Sequence, residues 1–260
     1  MASGGSQIHR IGAFDVLVER RVARPVFGRR RRSGLRLTVE QDGTLKVTAP
    51  LSAPLRLVEE FVLANHEWIA DQRQKMSEYR LKNPPKSFAE GEPFRFFGRE
   101  HRLVFESAAE RMREGARVRA ELIEDLLVVR GLSREEAGER EQVVRTAIAR
   151  LYDAQARLHV PERVRVFSEK MGVRPSGLSF RCQKTRWGSC SSQGHISINW
   201  KVIFAPEEVI DYLIVHELAH LVHANHSERF WSLVAIHDPE HRSHRLWLRR
   251  HQNEVAWAHY

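Results

Sequence analysis

The stretch VHELAHLVHANHSERFW, residues 215–231, holds four histidines and two glutamates in seventeen positions. The residues before it, APEEVIDYLI, carry helix-start signals. Pro206 suits the first helical position, and Glu207 and Glu208 complement the positive end of the helix dipole. Val209, Leu213 and the apolar residues around the histidines predict that the helix is largely buried. Such a helix needs close partners for His216, Glu217 and His220, because an unpaired imidazole or carboxylate is costly to bury. Helical geometry supplies one. Residues four apart differ by roughly 40° and about 6 Å, so His216 and His220 can reach one ion at about 2.0–2.1 Å. Glu217 lies close to the direction of His220, within reach of a water on that ion. H-E-x-x-H on a helix is the pattern in which the glutamate serves as general base.

A third ligand must come from further along. His223 shares the stripe of His216 but lies about 10 Å along the axis, too far to converge. His226 faces away if the helix continues, since six more residues turn it by about 240°. The helix is therefore expected to stop first. Asn225 suits a left-handed C-cap that reverses the chain; Ser227 then caps the next helix, which Phe230 and Trp231 pack down. The expected metal ligands are His216, His220 and His226, with Glu228 or Glu240 as the alternative third donor. His237, His241 and His244 lie in IHDPEHRSH and read as an exposed turn entering a last helix, with His241 the one that could approach the site. The nitrogen-rich set favours Zn2+, and three protein ligands leave a fourth position for water. Glu217 would take a proton from that water and pass it to the leaving amine of a peptide.

Just before the helix, GHISINWKVIF (residues 194–204) alternates Ile196, Ile198 and Trp200 with His195, Ser197 and Asn199. One face can pack while the other stays wet. It reads as an edge strand able to hold an extended peptide by β-augmentation. Upstream, LSFRCQKTRWGSCSSQ is also strand-like, with turns expected near Gly188 and Gly194. Residues 133–160 read as a helix with Ser133 as N-cap and Glu136 at capping-box spacing. Its expected apolar stripe is Val144, Ile148, Leu151, Ala154 and Leu158, and a separate short helix follows, ending at Gly172.

The first half reads as strands around one helix. GLRLTVEQDGTLKVTAP alternates and turns at Asp42-Gly43, a hairpin signal. Residues 52–76 place Leu55, Val58, Val62 and Ile69 at helical intervals behind Ser52 and Pro54, and NPPKSF breaks that helix. FRFFGREHRLVF and ARVRAELIEDLLVVRG form a second β region, joined by a charged link at ESAAERMREG. No internal repeat is visible. The expected division is a flexible tail over residues 1–11, a β-rich portion with one helix over 12–130, and a catalytic portion over 131–260.

At 260 residues there is room for one large domain or two small ones. No apolar run approaches the roughly 18 residues of a membrane span, and no export signal opens the chain. Cys182 and Cys190 are too few for a disulfide framework and not spaced as a zinc ribbon, which predicts a cytoplasmic protein with free thiols. The net charge of +9 is scattered, with one true run at GRRRRSG (residues 28–34). It reads as a solvated basic surface; a nucleic-acid-associated module with a structural or vestigial zinc site is the alternative.

TRWGSCSSQGHISINWKVIFAPEEVIDYLIVHELAHLVHANHSERFW closely resembles the YgjP-like zinc metallopeptidases, relatives of SprT-type proteins within the zincins. RWGSCS and HELAHL with NHSERFW are the paired features, and the resemblance extends over roughly residues 30 to 250. It implies His216, His220 and His226 as zinc ligands, Glu217 as the base, and a peptide or protein substrate. Arg186, Trp187 and Ser189 would shape the cleft or brace the strand. The expected fold class is α+β: a zincin-like metallopeptidase core with a small antiparallel or mixed sheet and an active-site helix, plus an N-terminal β-rich portion.

Overall fold

The computed structural model describes residues 6–21, 34–40, 43–82, 86–106, 118–132, 139–183 and 186–258. The expected arginine run, Asp42, the charged link and the Ser133–Glu136 cap lie wholly or partly outside them. Two compact units divide between Pro85 and Lys86.

In the first unit, β1 (Ser6–Ile11) and β2 (Phe14–Arg21) form a hairpin around Gly12, whose φ of 56° lets the chain reverse in two residues. Residues 6–11 are thus a paired strand with Ile11 buried, where the sequence suggested a tail. β3 (Arg36–Val39) and β4 (Leu45–Pro50) form the expected hairpin, and β4 also runs parallel to β2, giving the order β1-β2-β4-β3. Leu45, Val47 and Ala49 point to the core and meet Val58, Val62 and Ile69. These last belong to two helices, α1 (Leu55–Ala64) and α2 (His66–Lys82), rather than the single expected one. Asn65 makes the break. Its side-chain amide donates to the Phe61 carbonyl at 2.7 Å, the acceptor an unbroken helix would give to the Asn65 backbone.

The second unit begins with β5 (Pro93–Phe96), β6 (Arg99–Glu106), β7 (Arg119–Ile123) and β8 (Leu126–Arg130). Their order is β5-β6-β8-β7, with antiparallel, parallel and antiparallel pairs. This repeats the connectivity of the first sheet, a duplication of topology that the side chains do not betray. The buried Phe94, Phe96, Leu103, Leu127 and Val129 share a core with α3 (Arg140–Met171) and everything after it. The Tyr152 hydroxyl donates to the Arg95 carbonyl at 2.6 Å. This shared core moves the division from residue 130 to residue 85.

α3 runs unbroken through Pro161, where two helices were expected. Proline removes one backbone donor, but Val160 and Val164 on either side are buried in the same core and hold the helix straight through. The buried stripe is Val144, Ile148, Tyr152, Ala156 and Val160, whereas Ala154 is exposed and Leu158 is 69% exposed. Gly172 ends the helix in the left-handed conformation (φ 65°), as expected.

A three-stranded sheet follows: β9 (Gly177–Arg181), β10 (Gly188–Cys190) and β11 (His195–Asn199). Gly194 occupies the expected turn (φ 77°), but Gly188 lies within a strand. Trp200–Phe204 leaves the strand as a fully buried 3-10 turn, started by Asn199, whose Oδ1 accepts from the Lys201 backbone at 3.3 Å. That turn is fastened to the first sheet of its unit: Phe97 N–H donates to Ile203 O at 2.7 Å and Gly98 N–H to Phe204 O at 3.2 Å. The chain then enters α4 (Glu207–Ala219), α5 (Glu228–His237) and α6 (His241–His251). Among the described residues, no helix is long and apolar enough to cross a membrane.

Candidate metal centre

Nine of the thirteen residues of α4 are buried, so this helix runs through the core as its composition predicts. Near its start Asp211 receives two charge-assisted bonds from Arg163 of α3, one from Nε at 2.6 Å. The helix ends at Ala219, earlier than expected. His220 is its C-cap (φ −67°, ψ −18°), and the next N–H groups fold back, Leu221 to Leu218 O at 3.0 Å and His223 to Ala219 O at 2.9 Å. Asn225 is not left-handed. The reversal is spread over residues 220–225, and Ser227 then occupies the N-cap of α5, without a side-chain bond.

This early stop brings the three predicted histidines together. The ring centroids of His216 and His220 are 5.1 Å apart, those of His216 and His226 5.0 Å, and those of His220 and His226 4.7 Å. One nitrogen from each lies within 4.8 Å of the others. The Nε2 atoms of His216 and His226 stand 3.2 Å apart, close to the roughly 3.3 Å edge of a tetrahedron with 2.0–2.1 Å bonds. His220 Nδ1 donates to the His223 carbonyl at 3.2 Å, which leaves Nε2 as the lone-pair nitrogen. His223 therefore serves through its backbone.

The rings rest on aromatic residues. Phe230 is fully buried, with its centroid 5.0, 4.6 and 4.8 Å from the rings of His216, His220 and His226. Trp231 stacks on His226 at 5.6 Å and on His241 at 5.8 Å, and the Arg245 guanidinium lies 5.0 Å from the Trp231 ring. Burial, aided by the neighbouring His220 and His226 and by Arg245, pulls the His216 imidazolium down to about 3, and burial also lowers His220. Both are held neutral, the form that coordinates a metal. His216 Nε2 faces the cluster, while its Nδ1 is buried without a hydrogen-bond partner among the described residues. Three imidazoles converging on one point fit a borderline-soft divalent ion such as zinc.

Glu217 is 4% exposed, and burial pushes its carboxyl up to about 8. Its side chain lies across the backbone of Gly188, a neighbour that no spacing rule indicates. Tyr212 stands one turn before His216, at the four-residue helical spacing: its ring is 5.9 Å from the His216 ring, and burial raises its hydroxyl to about 12.

Several expectations about the surroundings change. Glu228 and Glu240 are exposed and do not belong to the ligand cluster. His241 is buried, its Nδ1 donating to the Asp238 carbonyl at 3.1 Å, and half-buried His244 pairs with the Asp238 carboxylate at 2.9 Å; neither is an exposed turn residue. β11 is not an edge strand. The order is β10-β11-β9, with β10 antiparallel and β9 parallel to it, so β10 lies at the edge. Bonds from Asn199 N–H to Trp187 O (2.7 Å) and from Ser191 N–H to His195 O (2.9 Å) mark the odd-numbered residues as those bonded to β11. By antiparallel alternation, the peptide groups of Gly188 and Cys190 face the open edge. Cys182 and Cys190 are both free thiols.

An α+β unit with H-E-x-x-H on a buried helix and a third histidine folded back beside it has the form of a metallopeptidase domain. The family described as YgjP-like, metallopeptidase domain, matches residues 33–251, and the chain belongs to it. Among solved structures, the crystal structure of the metallopeptidase zymogen of Pyrococcus abyssi abylysin is similar at 28% identity over 29% of this chain and 76% of that chain. The TM-score of 0.28 is too low for that likeness to define the fold. No curated protein matches.

Proposed function

We propose that this chain is a zinc-dependent, zincin-like peptidase in which His216, His220 and His226 hold the ion and Glu217 is the general base. The observation that carries the reading is the meeting of three imidazoles within 4.8 Å beside a buried glutamate side chain. Zinc held there supplies a Lewis acid that lowers the pKa of water toward about 7 and polarises a carbonyl. Glu217 takes the proton of the attacking water and returns it to the leaving amine. Burial favours this role because it makes the carboxylate a stronger base than a surface glutamate, although a nearby dication acts in the opposite direction. The peptide groups of Gly188 and Cys190 offer a substrate strand hydrogen bonds along the edge of β10. The edge role first assigned to β11 thus passes to its neighbour.

The test is metal analysis of the purified protein together with a peptide-library digest by wild type and Glu217→Gln. Both proteins should carry zinc, and hydrolysis by the variant should fall by at least about 100-fold, the usual scale for a lost general base. Cleavage by Glu217→Gln at the wild-type rate would overturn the assignment.

A further inference from the structure

RWGSCS stands out in the sequence, yet none of its side chains has a part in the chemistry above. Its glycine does. A Cβ placed on Gly188 would lie 2.4 Å from Glu217 Oε1 and 2.8 Å from both Cδ and Cγ. The carboxylate and the arm behind it together occupy the space that a side chain at position 188 would need. Gly188 is not among the glycines with positive φ, so the backbone there does not itself demand glycine. The residue is small because Glu217 fills the space a side chain would take.

The backbone on both sides of this contact is held. β10 is held to β11 with Gly188 opposite Ile198. Asn199, 3% exposed, pins the preceding loop: its amide donates to Gln183 O at 2.8 Å and Arg186 O at 2.9 Å, and its backbone N–H to Trp187 O at 2.7 Å. Trp187 stacks on buried Phe204 at 5.4 Å with an 18° tilt. On the other side, Val215, Leu218 and Ala219 of α4 are fully buried.

We propose that Gly188 is the positioning residue for Glu217: the bare backbone of β10, braced by Asn199 and Trp187, is the surface that sets where the carboxylate stands beside the three histidines. This rests on Glu217 being the base. Widening the 2.4 Å approach to an ordinary 3.4 Å contact displaces the carboxylate by about 1 Å, and a misplacement of that size costs a reaction about 100-fold.

The experiment is a double-mutant cycle in the full chain with Gly188→Ala, Glu217→Ala and the double variant, reading zinc content, melting temperature, kcat and KM. Gly188→Ala should retain zinc and KM while kcat falls about 100-fold. Its melting temperature should drop, and the same substitution in the Glu217→Ala background should cost neither stability nor residual activity. If Gly188→Ala does not fold, the double variant decides: recovery of fold and zinc supports the steric contact, and continued failure assigns Gly188 a backbone role and overturns the proposal. Equal losses of stability in both backgrounds, or an unchanged kcat in Gly188→Ala, overturn it as well. Should Glu217→Ala retain full activity, the base assignment falls, and the stability half of the cycle still reports whether Gly188 and Glu217 press on one another.

Discussion

Replacing Glu217 by glutamine in chelator-treated protein should change how stability depends on pH. Burial raises the folded-state carboxyl from 4.5 to about 8. Below pH 4.5 the group is protonated in folded and unfolded chains alike, and its stabilising contribution is fully present. Between pH 4.5 and 8 the unfolded chain releases the proton and the folded chain keeps it, so stability falls as pH rises. Above pH 8 both states are ionised and the slope vanishes. With 1.36 kcal/mol for each pKa unit, the shift from 4.5 to about 8 corresponds to at most about 5 kcal/mol lost across that interval. Glutamine has nothing to ionise and should escape this loss. Urea unfolding followed by circular dichroism at pH 5, 6, 7 and 8 measures the difference between the two proteins, in which titrations common to both cancel. The variant's advantage should grow steadily toward pH 8. Parallel stability curves would refute the idea that burial holds this carboxyl protonated.

Three further outcomes follow from the same geometry. His226→Ala should weaken zinc affinity beyond the 10–100-fold typical of a lost outer partner, while His223→Ala should leave it unchanged, because His220 bonds to the His223 backbone carbonyl; competition with a chromogenic chelator checks both. Asn199→Ala removes the amide donor of the Arg186 carbonyl, while the Gln183 carbonyl keeps its bond from Lys201 Nζ, and should cost about 1 kcal/mol for the bond lost, read from denaturant midpoints.

Much of the site is local and therefore legible in residue order. Four-residue spacing on a helix brings His216 and His220 to one side whatever surrounds them, and the need for a third donor points past the helix to His226. Where the helix stops is another matter. Leu221, Val222 and Ala224 are all compatible with helix, so nothing local announces an end at Ala219. Likewise Pro161 looks like a boundary and is not one, because Val160 and Val164 are buried in a core made by distant residues.

Sheet order is less legible still. The alternation in β11 reveals that one face packs and the other is wet, but a central strand and an edge strand can alternate in the same way. Only the pairing of Gly188 with Ile198 and of His195 with Gly177 puts β11 in the middle and leaves β10 beside the helix. The two matching four-stranded sheets are likewise a fact of hydrogen bonding between segments far apart in the chain, invisible to any comparison of side chains. Residue order alone therefore settled the chemistry on offer: three imidazoles, one carboxylate and a helix to carry them. The tertiary structure decided that a glycine from a separate strand would lie under that carboxylate, because contact between distant segments depends on the packing of the whole unit.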